Sequence, residues 1–211
     1  MILKTGARLS IFPLGGAILF PRSSLPLHIF EPRYRAMVRD SLARDRRIAM
    51  IQPRPGQNED GTDLFDIGCV GRIAHVEALP DGRFNLVLEG LSRFRMLREI
   101  DALTPFRQIE AGFDEFHDID EDDTALPSIV RAELEQEART FAAKLGFEVD
   151  WDGVGRLDDE ALVNGIAQIA PFDIAAKQAL LEAPDMADRA EILVQFLRFF
   201  GAGDGDPATL Q

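Results

Sequence analysis

The sequence predicts an α+β fold in which a strongly curved β-sheet with one helix is followed by a small helical bundle. Three observations lead to this prediction. The first half contains short apolar runs separated by glycine and proline, the second half repeats apolar residues at helical spacing, and the halves differ in charge. Residues 1–110 carry 16 Lys and Arg against 13 Asp and Glu, whereas residues 111–211 carry 7 against 23. This asymmetry predicts two units with different surfaces.

The first half of the chain has the pattern of short β-strands. Apolar runs bounded by glycine, proline or aspartate predict strands at the following positions: 11–12, 17–20, 48–51, 67–79, 84–88, 91–100 and 106–113. Between two of them, Pro80-Asp81-Gly82-Arg83 predicts a tight hairpin turn, because Asp-Gly readily supplies the positive φ that such a turn needs. Short strands in this number predict a compact, strongly bent sheet or a partial barrel.

One helix is expected within this series of strands. It begins at Pro32, because proline suits the first turn of a helix. The apolar residues that follow recur three and four positions apart: Tyr34, Met37, Val38 and Leu42. We expect this apolar face to hold the helix against the sheet, since burying each large apolar side chain contributes about 1.5–3 kcal/mol.

The second half has the apolar periodicity of α-helices. Apolar residues recur three or four positions apart in two stripes: Val130, Leu134, Ala138, Phe141 and Leu145, and then Leu162, Ile166, Ile169 and Ala170. Asp173 is expected to cap a short helix that ends near Leu181. The segment from Met186 to Phe200 is apolar on more than one side, which predicts a central position in a small bundle.

These patterns predict three segments and a compartment. Residues 1–118 are expected to form the β-rich subdomain, residues 119–200 the helical bundle and residues 201–211 a flexible tail. The single cysteine, Cys69, lies in an apolar run and is expected to be a small buried hydrophobe. The N-terminus lacks the pattern of a signal peptide, and no apolar run approaches the ~18 residues of a membrane span. We therefore expect a cytoplasmic protein that does not enter a membrane.

Motifs that carry chemistry are missing from the sequence. It contains no phosphate-binding GxxxxGK[ST], no GxGxxG, no GxSxG and no HExxH, and its three histidines lack a partner at zinc spacing. Lys144 and Lys177 are expected on helical surfaces, which disfavours a Ser-Lys nucleophile. The one polar pair with acid–base potential is His28 with Glu31, three positions apart. The sequence thus predicts no catalytic residue, no cofactor and no metal.

Several segments resemble one known family, the Lon protease N-terminal (substrate-binding) domains. The residues that carry the resemblance are Phe12-Pro13-Leu14, Leu19-Phe20-Pro21, the segment LPLHIFEPRY at 25–34, and the segments 67–73, 79–83, 90–95, 177–182 and 188–189. The resemblance spans about residues 10–200. It implies a PUA-like, strongly curved sheet with one helix, followed by a small helical bundle.

The resemblance also implies what the protein does and lacks. A full-length Lon protease carries a P-loop and a Ser-Lys dyad, and the sequence contains neither pattern. We therefore expect a stand-alone, non-catalytic substrate-binding-domain protein that serves as an adaptor in protein quality control, with a protease or an ATPase as its partner. Arg22 departs from the family, which commonly has glycine after Phe-Pro.

Binding of client polypeptides is the function that the resemblance implies. Exposed apolar segments of unfolded proteins would be bound by apolar contact and by pairing at a sheet edge. The candidate contact residues are Arg22, Leu25, Leu27, His28, Phe30, Arg33 and Tyr34. The alternative is that this segment is architectural, with prolines that set a bend and with Leu27 and Ile29 or Phe30 in the core.

RNA binding through the PUA-like sheet is the second hypothesis. Arginines alternate with aromatic residues at 33–35 and 93–98, a combination that suits RNA. For the second cluster, alternation along a strand is the favoured explanation, with Arg93 and Arg95 on one face and Phe94 and Met96 buried on the other. The acidic second half disfavours nucleic acid. The sequence does not predict an oligomeric state.

Overall fold

A computed structural model of the chain describes residues 4–55, 63–116, 118 and 125–202. The chain divides into two compact units, Met1–Glu121 and Asp122–Gln211, which we call the β unit and the helical unit. The predicted tail lies, from residue 203 onwards, outside the described residues. Its first two residues, Gly201 and Ala202, belong to the last helix.

The β unit contains a mixed sheet and one helix. Its elements are β1 (Ala7–Pro13), β2 (Ser24–Ile29), α1 (Pro32–Ala43), β3 (Arg47–Ile51), β4 (Ile67–Ala78), β5 (Phe84–Ile100) and β6 (Gln108–Gly112). The strand order is β2-β5-β4-β3-β1-β6, with a further pairing of β5 with β6. Only the pair β1–β3 is parallel among the described strands.

The long strand β5 makes the sheet curve. It pairs with β2, β4 and β6, and its register against β4 shifts at two irregular positions. Such bulges bend a strand and increase its twist. Gly90, in the middle of β5, allows the chain to come close: a Cβ built there would lie 1.9 Å from the carbonyl oxygen of Phe20. The predicted α+β class with a strongly bent sheet is confirmed.

Three sequence expectations about the strands were wrong. Residues 17–20 form no strand, although Ile18, Leu19 and Phe20 are buried, so their apolar character reflects burial without pairing. The runs 84–88 and 91–100 belong to the single strand β5. Strand β2 was not predicted, because Pro26 lies inside it; proline is tolerated there since β2 is an edge strand.

The core of the β unit forms where α1 and the sheet bury their apolar faces. Tyr34, Met37 and Val38 of α1 are buried as predicted. The hairpin at 80–83 also forms as predicted, with Gly82 at a φ of 79°. Cys69 is buried in β4, in agreement with its expected role as a small hydrophobe.

The described residues of the helical unit, 125–202, form five helices. They are α2 (Ser128–Leu145), α3 (Trp151–Val154), α4 (Asp159–Ile169), α5 (Ile174–Glu182) and α6 (Met186–Ala202). Aspartates cap four of them: Asp150, Asp158, Asp173 and Asp185 each accept a hydrogen bond from a backbone N–H three residues later. Gly146 ends α2 in the left-handed conformation, with a φ of 71°.

Candidate functional site

The seven residues that the sequence analysis proposed as contacts lie in β2, at the start of α1 and in the turn before β2. Arg22, His28, Phe30 and Arg33 are exposed, and Leu27 is half-buried. Leu25 and Tyr34 are buried in the core of the β unit. The segment therefore mixes architectural residues with exposed ones, and its exposed side chains are mostly polar.

Tyr34 is held between an aromatic ring and a cation. Its ring centroid lies 4.3 Å from that of Phe12, and the Arg33 guanidinium lies 4.5 Å from it on the ring face. Burial raises the pKa of the Tyr34 hydroxyl, and the charge of Arg33 opposes that rise. Arg33 also donates to Glu31 at 2.9 Å. These contacts fix the start of α1 to the sheet.

His28 is part of a polar network on the sheet surface. Its Nδ1 donates to Asn85 Oδ1 at 2.7 Å, and its Nε2 accepts from Arg83 at 3.4 Å. Asn85 in turn donates to Glu77 at 2.9 Å. Because Glu31 bonds Arg33, the His28–Glu31 pair considered from the sequence does not form, and no acid–base dyad results.

The edge at β2 is poorly suited to adding another strand. Pro26 lies in the middle of β2 and has no N–H to donate to an added chain. The turn before β2 holds Arg22 in a conformation that suits glycine, the residue that the family resemblance led us to expect there. Arg22 adopts a φ of 58°, in the region that glycine favours, and its N–H donates to the Gly90 carbonyl at 2.9 Å.

Carboxylates neutralise the three arginines of segment 93–98, and Arg98 of this segment pairs with Glu110. Arg93 is buried and forms an ion pair with Asp118, with Nη2 2.8 Å from Oδ1. This corrects the expectation that Arg93 faces solvent: its charge is paired, and its guanidinium lies 4.8 Å from the centre of the Phe116 ring. Arg95 pairs with Glu115 at 2.7 Å. Paired cations offer little to a phosphate backbone, so the segment does not form a basic RNA surface.

The helical unit contains a groove of about 460 Å³ that is lined mostly by apolar side chains, and we call it the apolar groove. Its residues come from α2, α3, α4 and α6 and from the connections that follow α2, α3 and α4. They are Ala138, Phe141, Ala142, Phe147, Glu148, Val149, Trp151, Val154, Leu157, Leu162, Gly165, Ile166, Ile169, Ala170 and Leu197. Glu148 is the one charged side chain in this set.

Large apolar side chains at the mouth of the apolar groove are exposed. Ile169 is 78% exposed and Phe147 is 52% exposed, and Leu157 is also exposed. The groove stays open partly because Gly165 of α4 has no side chain, and a Cβ built there would meet nothing within 4 Å. Trp151 forms one wall, with the Arg139 guanidinium 4.4 Å from the centre of its ring.

Two buried cations of the helical unit serve its architecture. Lys177 was expected on the surface but is buried, and its Nζ donates to the Gln168 carbonyl at 3.0 Å; burial lowers the pKa of its ammonium. Arg189 donates to the Leu180 carbonyl at 2.9 Å and to Asn164 at 2.8 Å. None of these side chains lines the apolar groove, whose lining is almost wholly apolar.

Sequence patterns did not identify the apolar groove. Phe141, Leu162 and Ile166 fit the predicted helical stripes equally well as core residues. A signal was present at Ile169, which extends a stripe yet is largely exposed. Within the part of the chain that the structure describes, no group of three or more potential metal ligands is found, and no helix is long and apolar enough to cross a bilayer.

Comparison with known proteins gives consistent matches. A family profile described as the ATP-dependent protease La (LON) substrate-binding domain matches residues 8–198. The chain is 26% identical over 200 residues to the Lon protease of Heliobacterium modesticaldum, and 28% identical over 193 residues to the Lon protease of Escherichia coli K12. These alignments cover 93% and 89% of this chain but 24% of each relative. The chain thus spans about a quarter of the length of the curated relatives it matches.

Two solved structures share the fold. One is the Lon N-terminal domain protein from Xanthomonas campestris, with a TM-score of 0.63 and 23% identity. The other is the N-terminal domain of the Mycobacterium avium complex Lon protease, with a TM-score of 0.64 and 17% identity. Each match covers 90% of this chain and 98% of the other chain.

Proposed function

Because the chain belongs to the family of LON substrate-binding domains, we propose that it is a non-catalytic module that binds apolar segments of client polypeptides. It acts as an adaptor in protein quality control, in the cytoplasm, with a protease or an ATPase that processes the bound client. The matched region corresponds to a substrate-binding domain, and the described residues offer no acid–base dyad or metal cluster for catalysis.

The apolar groove is the observation that carries this proposal. Its volume of about 460 Å³ lies within the usual range of about 300–1,000 Å³ for ligand sites. Its lining is almost wholly apolar and its mouth exposes Ile169 and Phe147. An apolar client side chain that enters it gains about 25 cal/mol for each Å² removed from water. Several such side chains in one segment add up to useful affinity.

The β2 edge supports the proposal less well than the apolar groove. Pro26 interrupts its donors, and the exposed His28 is already held by Asn85. Phe30, 59% exposed and stacked on His28 with 6.3 Å between ring centroids, is the one large apolar side chain that this segment presents to solvent. It offers a secondary contact for a client already bound elsewhere.

Trp151 provides a direct test, because it is the single tryptophan of the chain and lines the apolar groove. We expect that titration with a tryptophan-free, unfolded apolar polypeptide shifts the Trp151 emission to shorter wavelength as the ring loses water. Ile169→Gln, which makes the mouth polar, is expected to weaken binding about tenfold, in line with the loss of one large apolar contact.

The control for this variant is Ile129→Gln. Ile129 and Ile169 are both 78% exposed and both belong to helices of the helical unit, but Ile129 does not line the apolar groove. It should bind the polypeptide as the wild type does. Equal weakening by the two substitutions would place binding outside the groove. If no apolar polypeptide changed the Trp151 emission, the proposed function would be refuted.

A further inference from the structure

We propose that the apolar groove prefers apolar segments that are flanked by lysine or arginine. This inference rests on the proposed function and names the class of client. It follows from the charge of the chain around the groove, which differs from the charge of the exposed surface at β2. An apolar lining supplies affinity, and the acidic border selects among apolar segments of different charge.

The segment that forms one side of the apolar groove is strongly acidic. Residues 147–160 contain six Asp and Glu and a single basic residue, Arg156. Glu148 lines the groove and is exposed, and Asp152 is exposed in the first turn of α3. Neither carboxylate has a hydrogen bond or an ion pair among the described residues. Both are therefore free to meet a cation of a bound client.

Two further carboxylates add negative charge beside the groove, although each also accepts a hydrogen bond as a helix cap. Asp150 and Asp158 cap α3 and α4, yet both side chains remain exposed and charged. An N-cap uses one lone pair of the carboxylate and leaves the net charge facing solvent. These two residues strengthen the negative potential at the border, but they are unsuitable for mutation because their loss would destabilise the helices.

Most cationic side chains of the helical unit already contact carboxylates, backbone carbonyls or an aromatic ring of the same unit. Arg131 pairs with Asp159 and with Glu135, and Arg198 pairs with Glu133 and Glu137. Lys144 donates to the Gly201 carbonyl. Arg139 lies against Trp151, where it is the cation that a basic client would have to displace or avoid. The negative border is thus only partly compensated by the protein itself.

Coulomb attraction at such a border is modest and depends on salt. Exposed ion pairs contribute about 0.2–1 kcal/mol each, and the screening length is about 8 Å at physiological ionic strength. Two such pairs correspond to a preference of about twofold to thirtyfold for cationic over neutral flanks. The same field should repel anionic flanks by a similar factor.

The experiment uses three peptides with one tryptophan-free apolar core. Two residues on each side of the core are Lys in the first peptide, Ser in the second and Glu in the third. Titrations of the full chain, followed by Trp151 emission, are expected to rank the peptides Lys, Ser, Glu from tightest to weakest. The differences in affinity among the three peptides should become small in 0.5 M salt, where the screening length falls to about 4 Å.

A double variant, Glu148→Gln with Asp152→Asn, isolates the border. It should lose at least half of the logarithmic preference for the Lys peptide over the Ser and Glu peptides, a ratio measured within the variant itself. The matched control is Asp188→Asn with Glu191→Gln, which removes the same charge from exposed positions on α6 that do not line the groove. The control should keep most of the preference.

The outcomes separate this inference from the proposed function. If the three peptides bind with equal affinity, the charge selection is overturned and apolar recognition stands. The same conclusion follows if the border variant and the α6 variant change the preference equally, because the effect would then come from overall charge. If none of the peptides alters the Trp151 emission, both the selection and the proposed function fail.

Discussion

The two units of the chain differ in how they expose apolar side chains. In the β unit, the exposed large apolar side chains lie at separate places: Phe30 beside β2, Leu97 in β5, and Leu103 between β5 and β6. In the helical unit, Ile129, Leu145 and Phe199 are exposed outside the apolar groove, but Phe147, Leu157 and Ile169 are exposed together around it. Scattered apolar residues need no special explanation, whereas a contiguous apolar surface indicates a binding site.

This difference separates the segment with the strongest resemblance to the family from the part of the chain that contains the proposed binding site. The segment 25–34, which carries the strongest resemblance, supplies core residues and a polar network to the β unit. The apolar groove lies in the helical unit, whose sequence pattern is that of an ordinary bundle. Recognisable motifs in this protein therefore mark architecture more than ligand contact.

The two units also differ in how they stabilise their buried cations. Its buried pair Arg93–Asp118 is almost fully removed from solvent, and Asp118 additionally accepts from the backbone N–H of Arg93 at 2.7 Å. Buried cations of the helical unit instead donate to carbonyl groups and to a neutral amide. We use this contrast to order three predictions by the size of the expected effect.

The largest effect is expected from Asp118→Asn. It leaves the buried Arg93 charge without its partner, which typically costs about 3–5 kcal/mol. Urea unfolding gives the loss of stability, and amide hydrogen exchange in β4 and β5 shows which unit opens. The control Glu115→Gln breaks the exposed pair with Arg95 and should cost no more than about 1 kcal/mol. Similar losses of unfolding free energy in both variants would mean that burial of the Arg93–Asp118 pair does not increase the cost of breaking it.

Alanine at two glycines is expected to act in opposite directions. At Gly90 a Cβ would collide with the backbone of Phe20, so Gly90→Ala should destabilise the β unit by about 1–3 kcal/mol.

At Gly165 there is space for a methyl group, and helix propensity favours alanine, so Gly165→Ala should stabilise the helical unit by about 0.5–1 kcal/mol. Thermal unfolding of the two variants measures both changes. Destabilisation by Gly165→Ala would show that this wall of the apolar groove is closed.

The smallest effect concerns acid. Burial opposes the ionisation of Asp159, but hydrogen bonds from Arg131 and from the Leu126 N–H lower the pKa of its carboxyl. A carboxyl with a lowered folded pKa stabilises the fold above its unfolded pKa of about 3.9, and this contribution is lost as the pH falls through the folded value. Asp159→Asn should therefore flatten the decline of stability below about pH 4.

Glu99 of the β unit is the comparison for this measurement. A hydrogen bond from Arg107 lowers the pKa of its carboxyl, but the pair is substantially exposed. Solvent screening should make the change in acid stability smaller for Glu99→Gln than for Asp159→Asn. Urea titrations between about pH 2.5 and 6, followed by Trp151 emission and by circular dichroism, test this order. A larger change in acid stability for Glu99→Gln than for Asp159→Asn would contradict this prediction.

Local sequence signals accounted for much of the fold. The start of α1 at Pro32, the cap at Asp173 and the turn around Gly82 were predicted and are present, because each depends on residues within one turn of chain. The misses have a common cause. Residues 17–20 are apolar because other segments bury them, and β2 is a strand because its neighbour β5 pairs with it despite Pro26.

The sequence by itself determined the family, the α+β class and the succession of a β-rich half and a helical half, since these follow from motifs and from apolar periodicity. Only the tertiary structure decided that Leu25 is buried, that Arg93 is paired with Asp118, and that Ile169 and Trp151 border a groove. The physical reason is that exposure depends on what the remaining chain covers. Periodicity assigns a side chain to a face of a helix, but the packing of the other helices decides whether that face is filled or left open.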